Sequence, residues 1–262
     1  MTLCIMIAKQ RTGTGALGSI LDQHPSISYH GEVFHHDAVD KPPNYFWFLR
    51  DLVKRNPELI LPEANVRRFE LYSRYLEERK ARLRTFVDIK YSSLHHFNGH
   101  WLGILEPPTL FSILRSKAIP VVHLNRRNHL KSFISGQLAE LNNEWHVRSA
   151  DQITVHSLVI DTKTCLRFIR SKENEQARVR RILENHPRLL NLEYAELFAA
   201  SGELREDSAA ALAGFLEVEP FEKKMPVHIK QTSNDLTAVI ENYDAVAKAL
   251  AATNHAWMIE RD

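Results

Sequence analysis

Four short apolar runs, interleaved with helical patterns, constrain the fold of this chain more than any other feature. They are "TLCIMIA" from Thr2, "TFVDIKY" from Thr85, "IPVVHLN" from Ile119 and "LLNLEY" from Leu189. Each is of strand length and rich in apolar or β-branched residues. The intervals read as helices. Residues 45–83 hold two, broken at Asn56-Pro57 and Pro62, and residues 151–185 form a long pattern that ends at His186-Pro187. A further helix spans residues 203–216. A last one runs from about Asn234, with Leu236, Val239, Ile240, Tyr243, Val246 and Leu250 on one face. Strands alternating with helices predict an α/β fold, a parallel sheet with helices on both faces. The "KPPNY" and "EPP" stretches are local turns rather than linkers, so residues 1–262 read as a single domain.

In such sheets ligands bind beyond the carboxyl ends of the strands. Three of the four ends carry cations: Lys9 and Arg11, then Lys90, then Arg126 and Arg127; the fourth ends in Glu193-Tyr194. The first end continues into a glycine-rich turn, Gly13 and Gly15, and then into apolar residues at helical spacing that stop at His24-Pro25. A strand, a tight loop and a helix N-terminus present backbone N–H groups and a positive dipole end to an anion. Thr12 and Thr14 add hydroxyls, and Lys9 and Arg11 add charge. The alternative is an ordinary polar βα turn.

The turn is not a triphosphate loop, because Gly18-Ser19-Ile20 stands where Gly-Lys-[Ser/Thr] is required. It does fit G-x-G-x-x-G, over Gly13 to Gly18. A dinucleotide site also needs an acidic residue about 20 positions on, at the end of a second strand. Asp37 and Asp40 are at that distance, but the segment before them is short.

The third end, "VVHLNRRNHLKSFISGQ", repeats the arrangement in other chemistry. Arg126 and Arg127 stand at a strand–helix junction near Asn128, and Ser135 lies eight residues after Arg127. A guanidinium fork with a serine hydroxyl suits a phosphate monoester. A basic pair at a helix start opposes the dipole unless an anion is present; the alternative is a solvated pair.

Composition excludes several classes. With 44% hydrophobic and 25% charged residues, the 262-residue chain is ordinary globular protein, and a net charge of +2 gives no global field for nucleic acid. Cys4 and Cys165 form no disulfide framework or zinc-finger spacing and suit a reducing, cytoplasmic compartment. No apolar run approaches the length of a membrane span, and the first residues read as a strand rather than a signal peptide.

These pieces together resemble a known family. "QRTGTGALGSILDQHPSISYHGEVF" is similar to the 5′-phosphosulfate loop of sulfotransferases, with the HP…GE.F continuation of bacterial members. "RRNHLKSFIS" is similar to their 3′-phosphate-binding segment. "NNEWH" and "IKQTSNDLTAVIENYDAV" resemble the tryptophan segment, and the C-terminal lysine loop and helix, of the trehalose- and Nod-factor-type subgroup. The matches run in the family's order from Lys9 to Val246. Two departures stand out: Arg11 occupies a position where many members carry lysine, and Gly15 replaces a common serine or threonine.

The resemblance implies a P-loop-like three-layer sandwich and 3′-phosphoadenosine 5′-phosphosulfate (PAPS) as donor. It implies that Lys9, Arg11, Thr12, Gly13, Thr14, Gly15 and Ala16 surround the phosphosulfate. Arg126 or Arg127, with Ser135, would take the 3′-phosphate, and Lys230 and Gln231 would belong to the lysine loop. The acceptor would be a small-molecule, carbohydrate or glycolipid hydroxyl. Arg11 would stabilise the moving group and Glu32, in "HGEVF", would be the general base; a structural ion pair is the alternative for Glu32. No metal is expected. His30, His35 and His36 flank Glu32, and His95, His96 and His100 follow Lys90, but none forms a His-Glu-x-x-His helix. Trp101 and Trp145, with Tyr45, Phe46 and Trp47, are either stacking platforms for sugar rings or core. Rival functions are a P-loop-type small-molecule kinase, a non-catalytic nucleotide-binding module and an NAD-dependent oxidoreductase.

Overall fold

The computed structural model describes residues 3–79, 82–98, 103, 106–143, 156–227 and 235–259. Among them five parallel strands form one sheet: β1 (Leu3–Ala8), β2 (Ile27–Glu32), β3 (Arg84–Lys90), β4 (Val121–Asn125) and β5 (Leu189–Glu193). Their order is β2-β3-β1-β4-β5, so β1 is central and its neighbours come from far along the chain. Leu3 stands beside Thr85, and Ile5 beside Val121.

Helices cover both faces. α1 (Thr14–Gln23) and α8 (Glu206–Leu216) lie on one side; α2 (Tyr45–Arg55), α3 (Asn65–Arg79) and α4 (Thr109–Ser116) lie on the other. Every side chain of β1 is buried. Because alternate residues face opposite sides, Leu3, Ile5 and Ile7 enter the α2–α4 core and Cys4, Met6 and Ala8 enter the α1–α8 core. This is why the strand reads as an unbroken apolar run. A third cluster joins α5 (His129–Leu141), the first half of α6 (Thr162–Leu183) and α9 (Tyr243–Ala251). The short α7 (Tyr194–Leu197) follows β5 directly.

The three-layer α/β expectation holds. The break between α2 and α3 also falls at the prolines, which open two 3₁₀ turns, Pro57–Ile60 and Pro62–Ala64. Three elements differ from the sequence reading. β2 is a strand the apolar pattern does not reveal: it is an edge strand, only Ile27 and Ser28 are buried, and Gly31 sits at φ +67 where its pairing with β3 shifts. The long helix begins at Thr162, where the Asp161 carboxylate accepts from the Thr164 N–H and caps it. The last helix begins at Tyr243 rather than near Asn234. Leu236, Val239 and Ile240 are buried as expected, but the backbone around them is committed elsewhere. The Leu158 N–H donates to Val239, the Glu241 N–H donates to Leu158, and the Asn242 amide bonds both backbone groups of Ile160. Those bonds compete with the helical ones.

Candidate functional site

The connection after β1 runs across β3 to β2, while the connection after β4 runs the other way to β5. Adjacent strands whose connections diverge leave a crevice at their carboxyl ends. Both basic corners of the sequence meet at that crevice. A dinucleotide fold would place the second strand beside the first; here β3 stands between them.

At the first corner the chain leaves β1 with Arg11 at φ +62 and Gly13 at φ +93, and Gly13 caps α1. Only glycine fits at 13: a Cβ would fall 2.3 Å from the ring of Tyr194. Glycine brings no capping side chain, and the first turn of α1 holds no acidic residue, so its N-terminal N–H groups at Thr14, Gly15 and Ala16 have no side-chain cap. The Thr12 hydroxyl is spent inside the loop, donating to the Lys9 carbonyl at 2.6 Å. The Thr14 hydroxyl accepts from Lys90 Nζ at 2.5 Å. Lys90 is 3% exposed and also holds Asp88 at 2.5 Å and Glu32 at 3.2 Å. Burial pushes the Asp88 carboxyl up, and the adjacent Lys90 ammonium opposes that shift. Glu32 thus ends β2 beside the loop, one lysine away from Thr14, and is in an ion pair.

At the second corner Asn128 caps α5, its side chain accepting from the Lys131 N–H. The two arginines part here. Arg126 is buried: it donates to the Arg11 carbonyl at 3.3 Å and stacks over Tyr194 at 4.5 Å. Arg127 points outward and pairs with Glu193, Nε to carboxylate 3.4 Å. Of the two, the structure brings Arg126 to the loop. Ser135 accepts from Arg11 at 2.6 and 3.0 Å, joining the two corners directly. Burial, and next the charge of Arg126, work against the charge on Arg11. Two cations held this close favour an anion between them.

Lys9 takes a third direction. Its ammonium pairs with Glu175 of α6 at 2.6 Å, on the sheet face away from α1. Lys230 and Gln231 lie outside the described residues, as do His100, Trp101 and Trp145.

The histidines and aromatics are mostly packing. Tyr45 is core, Trp47 stacks on Tyr75, and His96 stacks on Phe34 at 5.0 Å. Burial lowers the His96 pKa to about 4, which keeps the ring neutral. Among the described residues, His35, His36 and Asp37 bring potential ligand atoms within 4.8 Å of one another, on a surface 3₁₀ turn.

Sequence reasoning missed four contributors: Tyr194, Ser132, and Lys172 and Gln176 of α6, which line one pocket with Lys9, Thr12 and Arg126. The Ser132 hydroxyl donates to the Arg11 carbonyl at 3.4 Å, and Tyr194 touches both corners. A serine one turn before Ser135 and an aromatic residue at a strand end were the only signals available. The corners therefore offer backbone N–H groups, the buried Arg126 and half-buried Arg11, two serines and, beside them, a lysine–carboxylate cluster. No protein-family model matches this chain, and no curated protein is significantly similar to it.

Proposed function

We propose that this protein is a PAPS-dependent sulfotransferase that moves a sulfuryl group to a hydroxyl of a small-molecule, carbohydrate or glycolipid acceptor. One observation carries the reading: two cationic helix-start corners converge at the β1–β4 crevice and are linked there by Arg11 and Ser135. That arrangement suits a ligand with two separated anionic groups. In this reading the α1 N-terminus and Arg11 hold the 5′-phosphosulfate, and Arg126 with Ser135 holds the 3′-phosphate. A donor lying across the crevice would exchange the Arg11–Ser135 hydrogen bond for its own oxygens.

Sulfuryl transfer needs in-line positioning and neutralisation of charge on the moving group and leaving phosphate. Lys90, adjacent to Thr14, is placed to add to that neutralisation. Glu32 removes the proton of the acceptor hydroxyl in this scheme, which requires it to exchange its partner Lys90 for the acceptor. The buried thiols of Cys4 and Cys165, each pushed up to about 12 by burial, fit a reducing compartment, and we infer a cytoplasmic location.

A thermal-shift panel of PAPS and NAD without added magnesium, and of ATP with it, tests the donor. PAPS or its product, 3′-phosphoadenosine 5′-phosphate, is expected to stabilise the protein by about 2.7 kcal/mol at 100 times its dissociation constant. Stabilisation by ATP–magnesium alone would replace this reading with the kinase, and by NAD alone with the oxidoreductase.

A further inference from the structure

Away from the crevice, β5 is the last strand of the sheet, and beyond it lies no further strand among the described residues. The Val121 N–H donates to the Arg188 carbonyl, and Val121 stands beside Leu189. In a parallel ladder this register turns the backbone groups of Leu190 and Leu192 towards β4. Leu189 and Asn191 then point their N–H and C=O groups away from the sheet. Among the described residues nothing bonds these outward groups. An open edge of this kind is a template for another strand.

Above the edge, α6 leaves a groove of about 420 Å³. Ala177, Arg180, Arg181 and Glu184 form its helix wall, and Leu189 and Asn191 its strand wall. The guanidinium of neither arginine makes a hydrogen bond or ion pair among the described residues, and Glu184 pairs with neither. The flanking charges are committed: Arg188 pairs with Glu217 at 2.8 Å, Glu193 with Arg127 at 3.4 Å, and Arg178 donates to the Glu106 carbonyl. The groove therefore holds two unpaired cations and one unpaired carboxylate. Burial lowers the His123 pKa to about 4; the bond to Asn191 opposes this and the charge of Arg180 adds to it, so that charge is felt inside the sheet. A second copy is the poorer occupant. Pairing β5 with β5 about a twofold axis sets α6 beside α6 and doubles the cation excess. An extended segment bearing carboxylates brings backbone partners and charge-assisted hydrogen bonds together.

We infer that the β5 edge is a docking surface for an extended acidic segment of another protein. The segment adds as a strand beside Leu189 and Asn191 and points a carboxylate at Arg180 and Arg181. Nothing in this inference rests on the sulfotransferase reading.

The test is calorimetric titration of the full chain with two hexapeptides, acetyl-TEVEVT-amide and acetyl-TKVKVT-amide. The acidic peptide is expected to bind at least about tenfold tighter. The Arg180→Gln/Arg181→Gln double variant should cut that preference to less than about threefold; both side chains are exposed, so the fold is retained. Amide hydrogen exchange supplies a readout that charge alone would not move. Exchange at the Leu189 and Asn191 N–H groups should slow when the acidic peptide binds, because those groups enter a ladder. Asn191→Pro removes an outward N–H and no bond to β4, and should weaken the acidic peptide about tenfold. Should that variant fail to fold, exchange in the unaltered chain decides. No binding of the acidic peptide at about 1 mM, equal binding of the two peptides, a preference that survives the double variant, or binding without protection at Leu189 and Asn191 overturns the inference. Self-association seen by sedimentation and lost in Asn191→Pro would give the edge to a second copy and overturn it too.

Discussion

On the β3 side of the crevice, Lys90 is buried between two carboxylates, Asp88 and Glu32. On the β4 side, Arg126 is buried against a tyrosine ring and a backbone carbonyl. The two cations are almost equally hidden from water, at 3% and 8% exposure, yet the partners described for them differ in kind. A carboxylate can take or give up a proton; an aromatic face and a peptide dipole cannot. The first arrangement suits proton movement, and the second holds a cation in a fixed position. Proximity to a loop therefore does not by itself assign a role to a cation; the partner does.

The comparison breaks most decisively at Glu32. If the β3 side moves protons, Glu32→Gln should lower sulfate transfer by about 10²–10⁴-fold with donor affinity nearly unchanged. A carboxylate that only pairs with Lys90 would leave the rate intact, and single-turnover measurement separates chemistry from product release. The next largest effect is expected at Lys90. Lys90→Met strands Asp88, which is 2% exposed, and should cost about 3–5 kcal/mol in urea unfolding. The Lys90→Met/Asp88→Asn double variant should recover much of this, as coupled partners do. Full additivity would mean that the two groups do not share a charge network.

Gly13 joins the two sides through Tyr194. Gly13→Ala should cost about 2–4 kcal/mol, from overpacking and a left-handed backbone together. In a Tyr194→Ala background the same change should cost only about 1 kcal/mol, the backbone share. On the β4 side, Arg126→Ala should weaken 3′-phosphoadenosine 5′-phosphate by about 10–100-fold, and adenosine 5′-phosphosulfate much less. Arg127→Ala, whose exposed guanidinium turns away from the loop to Glu193, should change either ligand by less than about threefold. Reversal of the two arginines would move the 3′-phosphate outward and undo the assignment of the β4 side.

Acid gives the smallest and most selective separation. His123 and His129, on β4 and at the start of α5, are both lowered to about 4 by burial. Their folded pKa values lie below the unfolded value, so the unfolded chain takes up protons first. Their contribution is intact above about pH 6.5 and is lost as pH falls from there towards 4. Each should remove about 1 kcal/mol by pH 5.5. Hydrogen exchange at pH 5.5 against pH 7.5 should show β4 and α5 opening before β1 and β3. His96, after β3, adds to the same global trend. Uniform loss of protection would show that the sides do not respond separately.

The buried strands were legible because burial on both faces writes a continuous apolar run, as in Leu3 to Ala8. β2 was not, since an edge strand with four half-exposed residues, one of them a glycine, carries no such run. The helix-start corners were legible from Gly13 and Asn128, whose local roles are set by nearest neighbours. The choice between Arg126 and Arg127 was not, because a guanidinium reaches in either direction and Glu193, which draws Arg127 away, is distant in sequence. The direction of Lys9 was hidden for the same reason: Glu175 lies on a helix whose facing the local pattern leaves open. The late start of α9 shows a further limit. Helical periodicity placed Leu236 and Ile240 inward correctly, but only the long-range bonds to Leu158 and Ile160 reveal that their backbone is not helical.

The strand order has a consequence for how the molecule comes into being. β1 carries the loop, yet its partners are β3 and β4, so Leu3 waits for Thr85 and Ile5 waits for Val121. During synthesis β1 is made before either of its partners and is paired late. Until β4 emerges, one or both of its edges stay open to other chains, the condition under which nascent proteins aggregate or recruit chaperones. Closing such distant pairings is slow. The crevice comes into existence only when the second edge closes, so nucleotide binding should appear late and all at once rather than with the loop that bears the glycines.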